Sequence, residues 1–171
     1  IMNEALIKAQ EGSIKVESVS GNVTNQGTMM ADKGKVEVTA KRDIVNEAIM
    51  SSLGGEVRVV STEGAITNKG TMKADEGVLH LTSKQSAYNK MLMEALHGKV
   101  EVESTEGEVV NEGTIRATEG AAALTARQDV TNAGAIEAPK GEIRVTSQEG
   151  RVTNLGAMKA QGGNIKLTAE Q

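Results

Sequence analysis

The chain has no cysteine, no tryptophan and no phenylalanine, and it holds a single tyrosine, Tyr88, and a single proline, Pro139. Without cysteine there is no disulfide and no thiolate metal site, so stability has to come from a continuous core. Without aromatic bulk that core must be filled by Val, Ile, Leu, Met and Ala, which implies a narrow core built from thin layers. No run of about 18 apolar residues is present, so no membrane-spanning helix is expected. The net charge of −4 over 171 residues is mildly acidic, with both signs mixed along the chain. It offers neither a basic footprint for nucleic acid nor a cationic amphipathic stretch for membrane insertion, and neither partner is expected.

What the chain does have is a frame. Eight asparagines, Asn3, Asn25, Asn46, Asn68, Asn89, Asn111, Asn132 and Asn154, recur at alternating spacings of 22 and 21 residues. Nine residues after each stands a glycine: Gly12, Gly34, Gly55, Gly77, Gly98, Gly120, Gly141 and Gly163. A period this regular marks a repeat architecture. Two turns of the pattern make a 43-residue unit, so the chain divides into 4–46, 47–89, 90–132 and 133–171 within one continuous domain, 1–171. Because Ile1-Met2-Asn3 begins inside a repeat and is neither a start methionine nor a signal peptide, the chain is expected to be a segment of a longer protein.

Within each turn apolar residues alternate with polar ones, the mark of half-buried strands. Counting from the asparagine, position −2 holds Ile1, Val23, Ile44, Ile66, Ala87, Val109, Val130 and Val152. Position +4 is Ile or Met throughout, position +13 is Val or Leu, and positions +6 and +15 are only Ala or Ser. Three short strands joined by tight corners account for 21 or 22 residues, enough for one coil of a parallel β-helix. The expected fold is therefore an all-β, right-handed parallel β-helix of about eight coils, a rod roughly 38 Å long at ~4.8 Å per coil. The alternating period has a local cause. The third corner has four residues with a glycine before Asn25, Asn68, Asn111 and Asn154, but three before Asn46, Asn89 and Asn132.

The fixed residues admit two readings each. An inward asparagine would link its amide to the coils on either side, forming a ladder, whereas an exposed one would serve as a left-handed turn residue. The repeated glycine would either adopt positive φ or press against the neighbouring coil. Glycine at +2 (Gly27, Gly70, Gly113, Gly156) gives way to Ala5, Ala48 and Met91 in other coils, so that position is expected to be less demanding. Outward charges form rows: Lys73, Glu94, Arg116, Glu137 and Lys159 at +5, and Lys15, Glu37, Arg58, His80 and Glu101 at +12. Vertical neighbours of opposite sign would help fix register. Two irregular stretches, Ala87–Met93 with Tyr88 and Ala121–Leu124, would complement one another across the core or mark a bend.

Signals of chemistry are weak. A catalytic β-helix needs clustered carboxylates in a cleft walled by long loops, and here Glu17, Glu37, Glu101 and Glu103 lie dispersed among lysines and arginines. His80 and His97 have no metal-site spacing. Gly54-Gly55 and Gly162-Gly163 lack the aspartates of calcium-binding rolls. The threonine row Thr39, Thr82, Thr125, Thr146 and Thr168 is broken by Glu17, Val60 and Glu103, unlike a flat ice-binding array. No enzyme, metal or cofactor is expected.

Segments such as Gly64–Ala74 (GAITNKGTMKA) and Asp129–Ala138 (DVTNAGAIEA) resemble the V-T-N-x-G-x-I-x-A repeats of filamentous-haemagglutinin-like exoproteins, the bacterial adhesins and toxin stalks of two-partner secretion. The resemblance covers all eight coils, but the motif marks an architecture more than an activity. It implies a right-handed β-helix, export to the bacterial cell surface, and a stiff extracellular shaft that holds or forms an adhesive face for a host-cell or surface glycan or protein receptor. The family's secretion domain with its Asn-Pro motifs has no counterpart in these residues, so the resemblance implies shaft. Two other functions compete with it: a filament subunit self-associating end to end through uncapped coils, and a carbohydrate-active enzyme on the same scaffold.

Overall fold

Between its glycines the chain places β-branched and apolar residues at two-residue spacing, which suits extended, half-buried backbone. The structure, a computed structural model that describes residues 1–170, forms strands at those places and, among the described residues, no helix. Each coil contributes three strands. The coil of Asn68 is typical, with Ile66–Asn68, Thr71–Ala74 and Leu79–Ser83. Corners of two to four residues, such as 69–70, 75–78 and 84–86, leave just enough chain to turn.

Every third strand joins the same sheet, so the molecule is a parallel β-helix of eight coils walled by three eight-stranded sheets. The first sheet carries the asparagines, the second begins just after them, and the third follows the repeated glycine. Register is kept without slippage. Asn68 pairs with Asn46 and Asn89, Met72 with Met50 and Met93, and Leu81 with Val59 and Val102. The difference between 21 and 22 residues is absorbed in the third corner, four residues at 62–65 and three at 84–86. A one-residue slip would turn each inward row to solvent, which is why the corner and not a strand takes the extra residue.

The core is one continuous column of those inward rows, including Val23, Ile44, Ile66, Met50, Met72, Leu79 and Leu81, each with no exposed surface. At the last coil the same positions lie open, Ile165 at 45% and Leu167 at 49% exposure.

The two irregular stretches do not complement one another across the core. Ala87 and Ala122 both point inward and are buried, while Tyr88 stands on the outer face with its hydroxyl donating to Glu108 Oε1 at 2.9 Å. Alternation decides this: Tyr88 falls in the outward row between Thr67 and Val110, and a bulky ring cannot change face without moving its whole strand.

Position along the column sets what a core side chain contributes. Leu81→Ala should destabilise by about 2–5 kcal/mol, and Leu167→Ala by clearly less, because its site is already half open. Paired denaturant titrations check this; equal losses would contradict the column.

Candidate functional site

The most ordered constellation in the molecule is the line of asparagines. Each side-chain Nδ2 donates to the Oδ1 of the next coil, from Asn3 to Asn25 at 2.8 Å through Asn132 to Asn154 at 2.8 Å. The intervening links, Asn25 to Asn46, Asn46 to Asn68, Asn68 to Asn89, Asn89 to Asn111 and Asn111 to Asn132, span 2.7–2.9 Å. A second donation reaches the backbone of the coil above, as from Asn68 Nδ2 to Leu92 O at 3.0 Å. Its Oδ1 also accepts from Gly70 N at 3.3 Å. The amide is thus satisfied on both sides, whereas a carboxylate would accept only and would stack like charges. Asn25, Asn46, Asn68, Asn111 and Asn132 are fully buried, and losing an amide there would leave partners unmet at roughly 1–3 kcal/mol. The inward reading of the asparagines therefore holds.

The glycines follow the close-approach reading. No described residue has positive φ, glycine included, so neither the asparagines nor the glycines serve as left-handed turn residues. A Cβ at Gly77 would lie 2.6 Å from the Gly55 carbonyl oxygen, and one at Gly163 2.7 Å from that of Gly141. The demand comes always from the preceding coil. Gly12, in the first coil, has nothing within 4 Å of that position.

Position +2 is not the tolerant site its sequence variation suggested. A Cβ at Gly70 would come 2.7 Å from Ala48 N, and one at Gly113 2.6 Å from Met91 N. At Gly113 the N–H groups of Glu112 and Gly113 both donate to Asn89 O, whereas the Gly70 N–H donates to Asn68 Oδ1. Ala5, Ala48 and Met91 lie beneath Gly27, Gly70 and Gly113, and the row then continues as Gly134 over Gly113 and Gly156 over Gly134.

Serine at +15 has a role beyond small size. Ser61 Oγ donates to Arg42 O in the preceding corner at 2.6 Å and accepts from Gly64 N at 3.0 Å. Ser104 and Ser147 repeat the bridge to Gln85 O and Gln128 O. The signal was present in the sequence as Ser-x-x-Gly at every third corner of four residues.

Outside, the +5 row forms the expected vertical ion pairs: Lys73 to Glu94 at 3.9 Å, Glu94 to Arg116 at 3.9 Å and Arg116 to Glu137 at 2.5 Å. The Glu137 carboxylate raises the Arg116 pKa. The +12 row follows expectation at one place, where Glu101 stands over His80, and departs from it at its start. Lys15 pairs along its own strand with Glu17 at 3.1 Å, and Glu37 is met by Lys35 at 3.5 Å. A long lysine reaches either partner on an exposed sheet, and such pairs are individually weak.

One cluster resembles catalytic machinery. His80 Nδ1 lies 3.1 Å from Glu101 Oε2, and Thr82 Oγ1 lies 2.8 Å from His80 Nε2. Partial burial works to raise the Glu101 pKa, but hydrogen bonds and charge from Lys99 and His80 outweigh it and leave the pKa below the usual glutamate value. The order hydroxyl, imidazole, carboxylate is that of a nucleophile and its base. Yet it lies on an open sheet face whose backbone N–H groups are engaged in the ladder, so nothing there forms an oxyanion hole. The +12 row of the sequence already placed Glu101 over His80; what sequence reading missed is Thr82, two residues along the same strand, whose hydroxyl reaches the imidazole.

Among the described residues no group of three or more His, Asp or Glu is placed to hold a metal ion. The surface depressions are shallow. One of about 420 Å³ beside Met91 is lined by Leu92, Thr114 and Arg116, and one of about 240 Å³ lies over Ala123 between Glu101 and Thr125. No protein-family model, curated protein or solved structure matches the chain.

The glycine geometry gives a position-dependent expectation. Gly77→Ala should cost about 1–3 kcal/mol by forcing two coils apart, whereas Gly12→Ala should be neutral or slightly stabilising, since only the unfolded chain feels it. Thermal unfolding of the two variants separates them; equal destabilisation would contradict the close-approach account.

Proposed function

We propose that the chain is a non-enzymatic shaft segment of a secreted bacterial cell-surface fibre or adhesin, of the filamentous-haemagglutinin-like kind that its repeats resemble. The supporting observation is that the invariant residues serve the column. The asparagines bond coil to coil, the glycines admit close approach, and the Val, Ile, Leu and Met rows fill the core. What varies between coils is mostly outward, where it forms flat charged rows with no deep cleft.

Such a body is suited to reach and stiffness. Each coil is tied to two others by three strand ladders, an amide chain and packed methyl groups, so bending the rod means stretching many bonds at once. A host-cell or surface glycan or protein receptor would meet an outer sheet face. A carbohydrate-active enzyme on this scaffold would need walls, and corners of two to four residues raise none.

Immunogold electron microscopy of cells that produce the protein tests the proposal. Label along fibres outside the cell envelope is the expected result. Label confined to the cytoplasm would overturn it.

A further inference from the structure

The outer face of the second sheet carries its own complement in the middle of the column. In the coils of Asn68, Asn89, Asn111 and Asn132, the fourth to seventh, position +5 presents Lys73, Glu94, Arg116 and Glu137 in one vertical row. Its signs alternate at every step. Over the fifth and sixth coils, whose strands here are Leu92–Ala95 and Thr114–Ala117, lies the depression of about 420 Å³. Met91 stands at its rim. In a +2 row that is otherwise only Ala and Gly it is the one large side chain, 56% exposed, and the next coil has Gly113 at the same position. A knob therefore sits one coil below a hole.

A two-fold axis along the strand direction, passing between the fifth and sixth coils, lays this face against the same face of a second copy. Such an axis keeps the position along the strand and exchanges coil five with six and coil four with seven. Met91 of each copy then meets Gly113 of the other, Glu94 meets Arg116, and Lys73 meets Glu137. Lys90, exposed and 3.6 Å from its own Glu112, meets the Glu112 of the second copy. Each of these charges is faced by an opposite one across the contact as well as along its own row. Other placements fail on the same residues. An axis through the sixth coil sets Arg116 on Arg116 and Glu94 on Glu137, and an axis along the rod through this row sets each charge on its own kind. An axis between the fourth and fifth coils also sets Met91 on a glycine, Gly70, but brings Lys90 against Lys69.

We propose that this face is a self-recognition surface, on which two copies of the chain lie side by side and antiparallel with Met91 of each seated over Gly113 of the other. Four coils at ~4.8 Å and about six residues of width at ~3.3 Å make a contact of roughly 19 by 20 Å. That is small for a protein pair, so the association is weak and reversible, and because opposite charges set its register it weakens as salt is added.

Sedimentation equilibrium up to millimolar concentration tests the proposal, with a monomer–dimer equilibrium expected that moves toward monomer as sodium chloride is raised. Met91→Ala installs the residue that Ala48 already is in its own coil, so the unfolding midpoint should stay close to wild type. Dimer affinity should nevertheless fall about tenfold or more, one knob being lost from each copy. Lys90→Glu should weaken the pair, and Glu112→Lys added to it should restore it. The arrangement is read by NMR of a mixture, since a chain without cysteine takes a single nitroxide at Thr71→Cys. That label on an unlabelled copy should broaden the amide signals of Ala135–Ala138 in a ¹⁵N-labelled copy, ~10 Å across the contact, more than those of Thr71–Ala74 at roughly 17 Å. A monomer throughout, mass that rises past the dimer, affinity indifferent to Met91→Ala, or broadening strongest at Thr71–Ala74 would overturn the proposal.

Discussion

Parallel strands stacked at ~4.8 Å place every side chain directly over its equivalent in the coil below, and the rest of this molecule follows from that distance. A side chain in such a column has to be compatible with a copy of itself. Valine, isoleucine, leucine and methionine satisfy this by packing methyl on methyl. Asparagine satisfies it by carrying a donor and an acceptor on one short planar group, so that Asn46, Asn68 and Asn89 form a chain of bonds in which no polar atom is left over. Where the backbone itself comes closest, as at Gly77 over Gly55, a side chain would have no room.

The same distance explains what the surface does and does not offer. Side chains that stack in register produce rows, and rows produce flat faces. The ion pairs of the Glu94, Arg116 and Glu137 row help hold register more than they add stability. The Thr82, His80 and Glu101 cluster shows that stacking can bring catalytic residue types together by register alone. It is a half-buried hydrogen-bond network on a sheet face whose backbone N–H groups are taken up by the ladder.

Much of this was legible in the sequence because the period repeats eight times. The three strands per coil, the inward rows and the amide ladder are each implied by residues that recur at fixed offsets. What was not legible depends on relations between coils that a single repeat does not display. The glycines carried no mark of whether they were needed for φ or for space, nor that the demand comes from the coil beneath, which only the freedom of Gly12 reveals. Variation at +2 looked like tolerance because Gly70 and Ala48 occupy one row but face different neighbours. The stretch with Tyr88 looked able to fill the space opposite Ala121–Leu124, although Tyr88, the middle residue between inward Ala87 and Asn89, already stood on the outer face. The serine bridge was visible as Ser-x-x-Gly, yet its acceptor, such as Arg42 O, lies 19 residues away.

The account rests on buried amides bonded coil to coil, and side-chain amide NMR reads them directly. In ¹⁵N-labelled protein the Nδ2 protons of Asn46, Asn68, Asn89 and Asn111 should exchange slowly with water and show contacts to the asparagine of the adjoining coil. Fast-exchanging, averaged amide signals without those contacts would contradict the column.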